Sequence, residues 1–428
     1  MGTEQKKRRY RLTLIFILLI NLCAIGYSLY AEMDANIPND ISIFAGEEEA
    51  FDFAWPIKVE MKEECVDAIS VQNAVTDSSG IHFTMQEPFT ISSGVQGEYE
   101  ASLKLFGFID YKNITFHVIE QQSVMPCGEV VGLYVQCDGI LVLGTAMVED
   151  ERGRNHEPAK DIVRSGDYIE AIDGQKVTSI SQIVEYMNQL EKDSVELLLR
   201  RNGKEVTKEL PCIRAKDGTY KLGIWIREDT QGIGTVTYVT KDGVFGALGH
   251  GITDADTGKL MEIKDGNVYH TKILKIVKGK SGNPGELVGM IDLSQARSLG
   301  VLSNNTPLGI FGVVNPEESL AYDEKRAVPV GLKQEVELGN ATILCQVGSQ
   351  VKEYDAVIDE INVNATDNKG MTLHITDEEL LSKTGGIIQG MSGSPILQNG
   401  KCIGAVTHVF VKDSAIGYGT FVETMLLQ

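Results

Sequence analysis

With 428 residues, 43% of them hydrophobic and 23% charged, the chain has ordinary globular composition and enough length for two or three domains. A formal net charge of −21 offers no basic footprint for phosphates, so nucleic acid is not expected as a partner. Seven widely spaced cysteines without a C-x-x-C pair argue against a zinc ribbon, a dithiol redox site or a disulfide framework. No metal or cofactor is expected. Cys127 and Cys137 could pair, but two separately buried thiols are the expectation.

Residues 1–31 read as a cytoplasmic basic stub and a membrane anchor. Lys6-Lys7-Arg8-Arg9 and Arg11 precede an uncharged run from Leu12 to Tyr30. About 19 residues at 1.5 Å rise span roughly 28 Å, close to the hydrocarbon thickness of a bilayer. The basic cluster on the N-terminal side leaves the rest of the chain outside. Leu29-Tyr30-Ala31 lacks the small residues of a signal-peptide cleavage site, so a retained anchor is expected.

Residues 32–122 alternate in short runs, such as Tyr99 to Phe106 and Asn113 to Ile119, with turns such as Asp77-Ser-Ser-Gly80 between them. They predict a β-rich spacer in which His82 and His117 are structural. Residues 123–214 hold Arg164-Ser-Gly-Asp-Tyr-Ile-Glu-Ala-Ile-Asp-Gly174, then Ile183, Val184, Met187 and Leu190 at helical spacing. A hairpin follows, with the turn Asn202-Gly203 between Val195–Arg200 and Glu205–Leu210. This order resembles a bacterial PDZ domain, a fold that captures an extended peptide terminus beside a sheet edge. The resemblance puts the carboxylate-binding loop at Gly128, Glu129, Val130, Val131, Gly132 and Leu133. Residues 215–428 are again short glycine-punctuated strands, as expected of two packed β-barrels.

Near the C-terminus stands Gly390-Met391-Ser392-Gly393-Ser394-Pro395. A serine between glycines in a tight turn exposes its hydroxyl, and neighbouring amides can converge on an oxyanion. Ser392 is the candidate nucleophile, with the amides of Gly390 and Ser392 as oxyanion donors. The segment is similar to the chymotrypsin-like nucleophile loop, with Met391 and Ser394 as departures. The candidate base is His250, bracketed by Gly249 and Gly251 at the end of an apolar run; His270, His374 and His408 are its rivals. Gly279-Lys280-Ser281 lacks the first glycine of a phosphate loop, and Asp254-Ala-Asp-Thr-Gly258 is followed by Lys259 where a calcium loop needs glycine. Both read as turns.

Together, the anchor, the PDZ pattern, Gly249-His250-Gly251 and Gly390 to Pro395 resemble stage IV sporulation protein B, a family of PDZ-containing serine peptidases of endospore formers. The resemblance implies a triad of His250, Asp377 and Ser392. It further implies export from the forespore into the space between two membranes, self-cleavage, and cleavage of a membrane-bound regulator of an intramembrane protease. Such cleavage activates sigma-factor processing. From the residues alone the acid stays open, with Asp254 and Asp292 competing with Asp377. A non-catalytic PDZ adaptor is the alternative function, although such a protein has no need of a histidine–serine pair.

Overall fold

The apolar run at the N-terminus is helical, as α1 (Gly2–Asn36). Residues 7–36 are long and apolar enough to cross a membrane. The side chains from Leu12 to Tyr30 are exposed along the helix. The computed structural model describes residues 2–291, 297–318, 320, 322 and 324–427.

The chain divides into two units. One comprises residues 1–122 together with 332–337 and 361–370; the other holds the remainder. In the first unit, a six-stranded sheet begins with Asp40–Phe44, Ile109–Ile119, Gly97–Leu105 and Ile57–Met61 as neighbours, and a three-stranded sheet accompanies it. Alternating burial along Ile57–Met61 is the period-2 signature of a half-buried strand. Met33 and Ile37 at the end of α1 join the core of Ile41, Val59, Leu103 and Phe116. Asp40 forms an ion pair with the buried Lys333 at 2.5 Å.

The second unit is built from a PDZ module and two six-stranded barrels. The first barrel closes through Val130–Thr145, Ile263–Val277, Gly300–Thr306, Gly309–Val314, Val244–Ala247 and Ile224–Thr240. The second barrel comprises Gly339–Gln346, Val351–Ile361, Met371–Ile375, Ile416–Phe421, Lys401–Val409 and Pro395–Gln398. Val124, Tyr238 and Phe311 meet Leu344, Leu397, Cys402 and Ala405 in a shared core between them. Desolvating that apolar surface is what holds the barrels together. None of the seven cysteines forms a disulfide. Burial raises the Cys127 thiol to about 12 and the Cys137 thiol to about 11, as expected of inert core thiols.

The PDZ module packs α2 (Ile180–Asn188) over Tyr168–Ile172 and the hairpin Ser194–Arg201/Lys204–Pro211. Ser179 caps α2 by accepting from the Gln182 amide. Asn202 and Gly203 take φ of 51° and 72°, the left-handed pair a tight hairpin requires. Asp167 of the Gly-Asp turn is buried and grips Arg201 through two hydrogen bonds of 2.8 and 2.6 Å.

One expectation is corrected here. Gly128–Leu133 is not a carboxylate-binding loop of the PDZ module. Val130–Gln136 pairs with Asp229–Thr235 on one edge, and Val131–Gln136 with Asp265–His270 on the other. The sixteen-residue strand Val130–Thr145 serves the barrel with its first half and the PDZ module with its second. The register breaks between Gln136 and Leu141, and Gly139 there has φ +99°, the geometry of a bulge. Beyond that bulge, Leu141–Thr145 pairs with the chain's own Ile224–Arg227. Ile224 and Ile226 pack on the PDZ core that holds Ile183 and Met187 of α2, and Glu228 accepts the Ile180 amide. The edge where a peptide would add as a strand is therefore filled from within.

Candidate active site

The turn that carries the candidate nucleophile Ser392 is clamped from two sides. Its approach is pinned where the Leu287 amide donates to Gln389 and the Gln389 amide to Gly285, both at 2.8 Å. The fully buried Thr235 then holds the turn twice: its amide donates to the Ser392 carbonyl at 2.9 Å, and its Oγ1 to the Gly390 carbonyl at 2.8 Å. On the far side the Gly393 amide donates to Val406 at 2.7 Å. Gly393 has φ +98°, and a Cβ there would lie 2.0 Å from the Thr235 carbonyl oxygen, so no other residue fits. Among the described residues, no acceptor takes the amide hydrogens of Gly390 or Ser392. Ser392 is half-buried, and its Oγ donates to the Thr407 carbonyl at 2.6 Å.

The same threonine positions the loop of the candidate base His250. The Leu248 amide donates to the Thr235 carbonyl at 3.1 Å, and Gly249 lies so close to Thr407 that a Cβ would meet its methyl at 2.9 Å. His250 follows, half-buried, with its ring 5.0 Å from that of His408. Its Nδ1 is 3.0 Å from the Gly251 carbonyl. That oxygen can only accept, so Nδ1 carries the hydrogen and Nε2 keeps its lone pair. Burial lowers the His250 pKa, and the Gly251 carbonyl offsets part of this. Both loops thus close on Thr407 and His408. No hydrogen bond joins His250 to Ser392 in this arrangement.

The structure does not bring the third expected residue to the other two. Asp377 caps α3 (Glu378–Thr384), its Oδ1 accepting the Leu380 amide at 2.8 Å. Among the described residues no hydrogen bond links it to His250, and its Oδ2 has no hydrogen-bond partner. Asp254 is committed elsewhere: its side chain is fully buried and ion-paired with Arg227, and its Oδ1 accepts the amides of Asp256 and Thr257. Asp292 lies outside the described residues. Of the rival histidines, His270 pairs with Glu129 at 3.1 Å and His374 with Asp359 at 2.6 Å.

Two supporting residues gave no sequence signal. Asn305 braces the loop after His250, accepting the Ile252 amide at 2.8 Å and donating to the Ile252 and Met261 carbonyls at 2.9 Å. Thr235 is an ordinary strand threonine until its partners are known. Thr235→Val keeps the shape and the backbone bonds but leaves the Gly390 carbonyl without its donor, a loss of about 1–3 kcal/mol. We expect kcat to fall about tenfold or more, since 1.4 kcal/mol is a factor of ten, with Thr235→Ser near the parent. Equal activity in Thr235→Val and the parent would remove Thr235 from the site's support.

A hydroxyl on a glycine-bounded turn, unpaired amides beside it and an imidazole with a free Nε2 on the neighbouring loop define a serine peptidase built on two packed β-barrels. Residues 218–426 match the family model described as SpoIVB peptidase S55. Among similar solved structures, the PDZ domain of the SdrC-like protein from Listeria monocytogenes is 26% identical, covering 21% of this chain and 87% of that one, with a TM-score of 0.18. The active form of the Rv3671c protease from M. tuberculosis is 14% identical, covering 46% and 73%, with a TM-score of 0.25. The HtrA-type protease AlgW with a decapeptide is 12% identical, covering 70% and 63%, with a TM-score of 0.28. No curated protein matches the chain. At TM-scores this low, the family match and the geometry carry the assignment.

Proposed function

We propose that this chain is a membrane-anchored serine endopeptidase that cleaves itself and a membrane-bound regulatory protein during sporulation, the cleavage activating sigma-factor processing. α1 anchors it in the forespore membrane with the remainder facing the intermembrane space. Ser392 is the nucleophile, His250 the base and Asp377 the acid, and the amides of Gly390 and Ser392 receive the oxyanion. The observation that carries this reading is the pair of unpaired amides at a turn whose serine lies beside the histidine loop. In the resting arrangement the Ser392 hydroxyl rests on Thr407; rotation about its χ1 frees it for the base. Attack then forms the Oγ–carbon bond, the hydroxyl proton passes to His250, and the imidazolium protonates the leaving amine. A serine-reactive phosphonate tests it: one label on Ser392 is expected, and a label that persists in Ser392→Ala would sink the assignment.

A base must be neutral to act. Because burial lowers the His250 pKa below its ordinary value of 6.5, the neutral form persists to lower pH. The acid limb of kcat/KM is expected below pH 6.5; a limb at or above that value would contradict the buried base.

The filled PDZ edge sets a condition on substrate capture. Val142 and Ile226 are register partners, within disulfide reach for paired strands. Oxidised Val142→Cys/Ile226→Cys is expected to cut an unfolded protein more slowly while cutting a short peptide normally, with reduction restoring the rate. Equal loss on both substrates would make the PDZ module a brace. Deleting residues 124–214 would not test this, because it also removes a strand of the first barrel.

A further inference from the structure

The hairpin joining Gly97–Leu105 to Ile109–Ile119 ends in a tip that suits no aqueous role. Phe106, Phe108 and Ile109 are 61%, 76% and 47% exposed. The two phenylalanine rings lie side by side with centroids 6.5 Å apart. Phe106 itself has φ +54° and Gly107 +78°. Turns of this kind favour asparagine, aspartate or glycine in the left-handed region, where a bulky aromatic is rarely found. An aromatic held there with its ring outward is poorly explained by folding alone.

The tip's place relative to α1 suggests what it meets. The Tyr111 hydroxyl donates to Asp34 at 2.6 Å, and the rings of Tyr30 and Tyr111 meet edge-on at 5.8 Å. One residue later, Lys112 donates to the Ile37 carbonyl at 2.8 Å and to Asn39 at 3.0 Å. Asp40–Phe44 then runs parallel to Thr115–Ile119. Strand and helix therefore advance in the same direction, away from the apolar run. Followed backward, the strand covers roughly 10 Å from Tyr111 to Phe108. The same retreat along α1 is about six or seven residues from Tyr30, well inside the uncharged run. Aromatic side chains at this level, beside an exposed apolar helix, are those that partition into the bilayer interface.

We propose that the Phe106–Ile109 tip inserts into the outer boundary of the same lipid bilayer that α1 spans, as a second membrane contact. The first unit then cannot swivel freely about its helix. This rests on the reading of α1 as a spanning anchor, and the test separates the two. The full chain is reconstituted in phosphatidylcholine–phosphatidylglycerol vesicles, with or without bromine on the acyl chains. Emission is recorded from Phe16→Trp, Phe108→Trp and Val95→Trp, above the background of the native Trp55 and Trp225. Val95 is 54% exposed and lies beyond the far end of the hairpin, roughly 30 Å from the tip. Phe16→Trp and Phe108→Trp are expected to lose their added emission in brominated vesicles, and Val95→Trp to keep it. Loss from Phe16→Trp with full emission from Phe108→Trp would place the tip in water or against a protein and overturn the proposal. Undiminished emission from Phe16→Trp would sink the spanning anchor, and the tip contact with it.

Discussion

Ser392→Ala is expected to lower kcat by about 10⁶, the scale seen when the nucleophile of a serine peptidase is removed, while the fold survives. The substitution deletes one hydrogen bond, from Oγ to the Thr407 carbonyl, worth about 1 kcal/mol. The backbone bonds from Thr235 to Ser392 and from Gly393 to Val406 do not involve the hydroxyl, so the turn keeps its shape. A companion experiment uses the fact that catalytic groups acting as a unit are not additive. His250→Ala alone should cost nearly as much, and His250→Ala/Ser392→Ala no more than either. The double variant is pointed here because base and nucleophile are not hydrogen-bonded in the resting arrangement. Additive losses would mean that the two residues work separately, and activity within tenfold of the parent in Ser392→Ala would remove the nucleophile.

Much of this molecule was legible because its punctuation is local. The uncharged run Leu12–Tyr30, the turn Asn202-Gly203 and the glycines around His250 and Ser392 each state their geometry within a few residues. The PDZ boundary was not legible, for a physical reason. Val130–Thr145 runs as one strand through barrel and PDZ module, and only the short polar break at Gln136–Gly139 with its bulge marks the change. The filled groove was hidden too, since Ile224–Arg227 reads as any strand until its register with Leu141–Thr145 is known. Thr235 was the least legible, because its partner Gly390 is 155 positions away along the chain. A residue that joins two loops through such a contact leaves no periodicity behind it.

Asp377→Asn is expected to lower kcat by about 10⁴ without loss of fold, the effect of neutralising the acid of a serine peptidase triad. Asparagine is nearly as good a helix N-cap as aspartate, and the bond from the Leu380 amide to Oδ1 can pass to its side-chain oxygen. The variant thus keeps the structural duty seen at this position and removes only the negative charge. Among the described residues no hydrogen bond joins Asp377 to His250 in the resting arrangement, so this charge acts only if catalysis brings the two together, whereas the fully buried Asp254 is neutralised by Arg227. An imidazolium formed at His250 during attack needs a nearby anion, since a backbone carbonyl such as Gly251 fixes the tautomer but supplies only a dipole. Thermal unfolding measured beside kcat separates the two duties, with Asp377→Ala as the third arm. Alanine should lose the cap, at about 1 kcal/mol, as well as the charge, whereas asparagine should lose activity at unchanged Tm. Near-normal turnover in Asp377→Asn would confine Asp377 to capping α3 and leave the Gly251 carbonyl as the partner that orients His250.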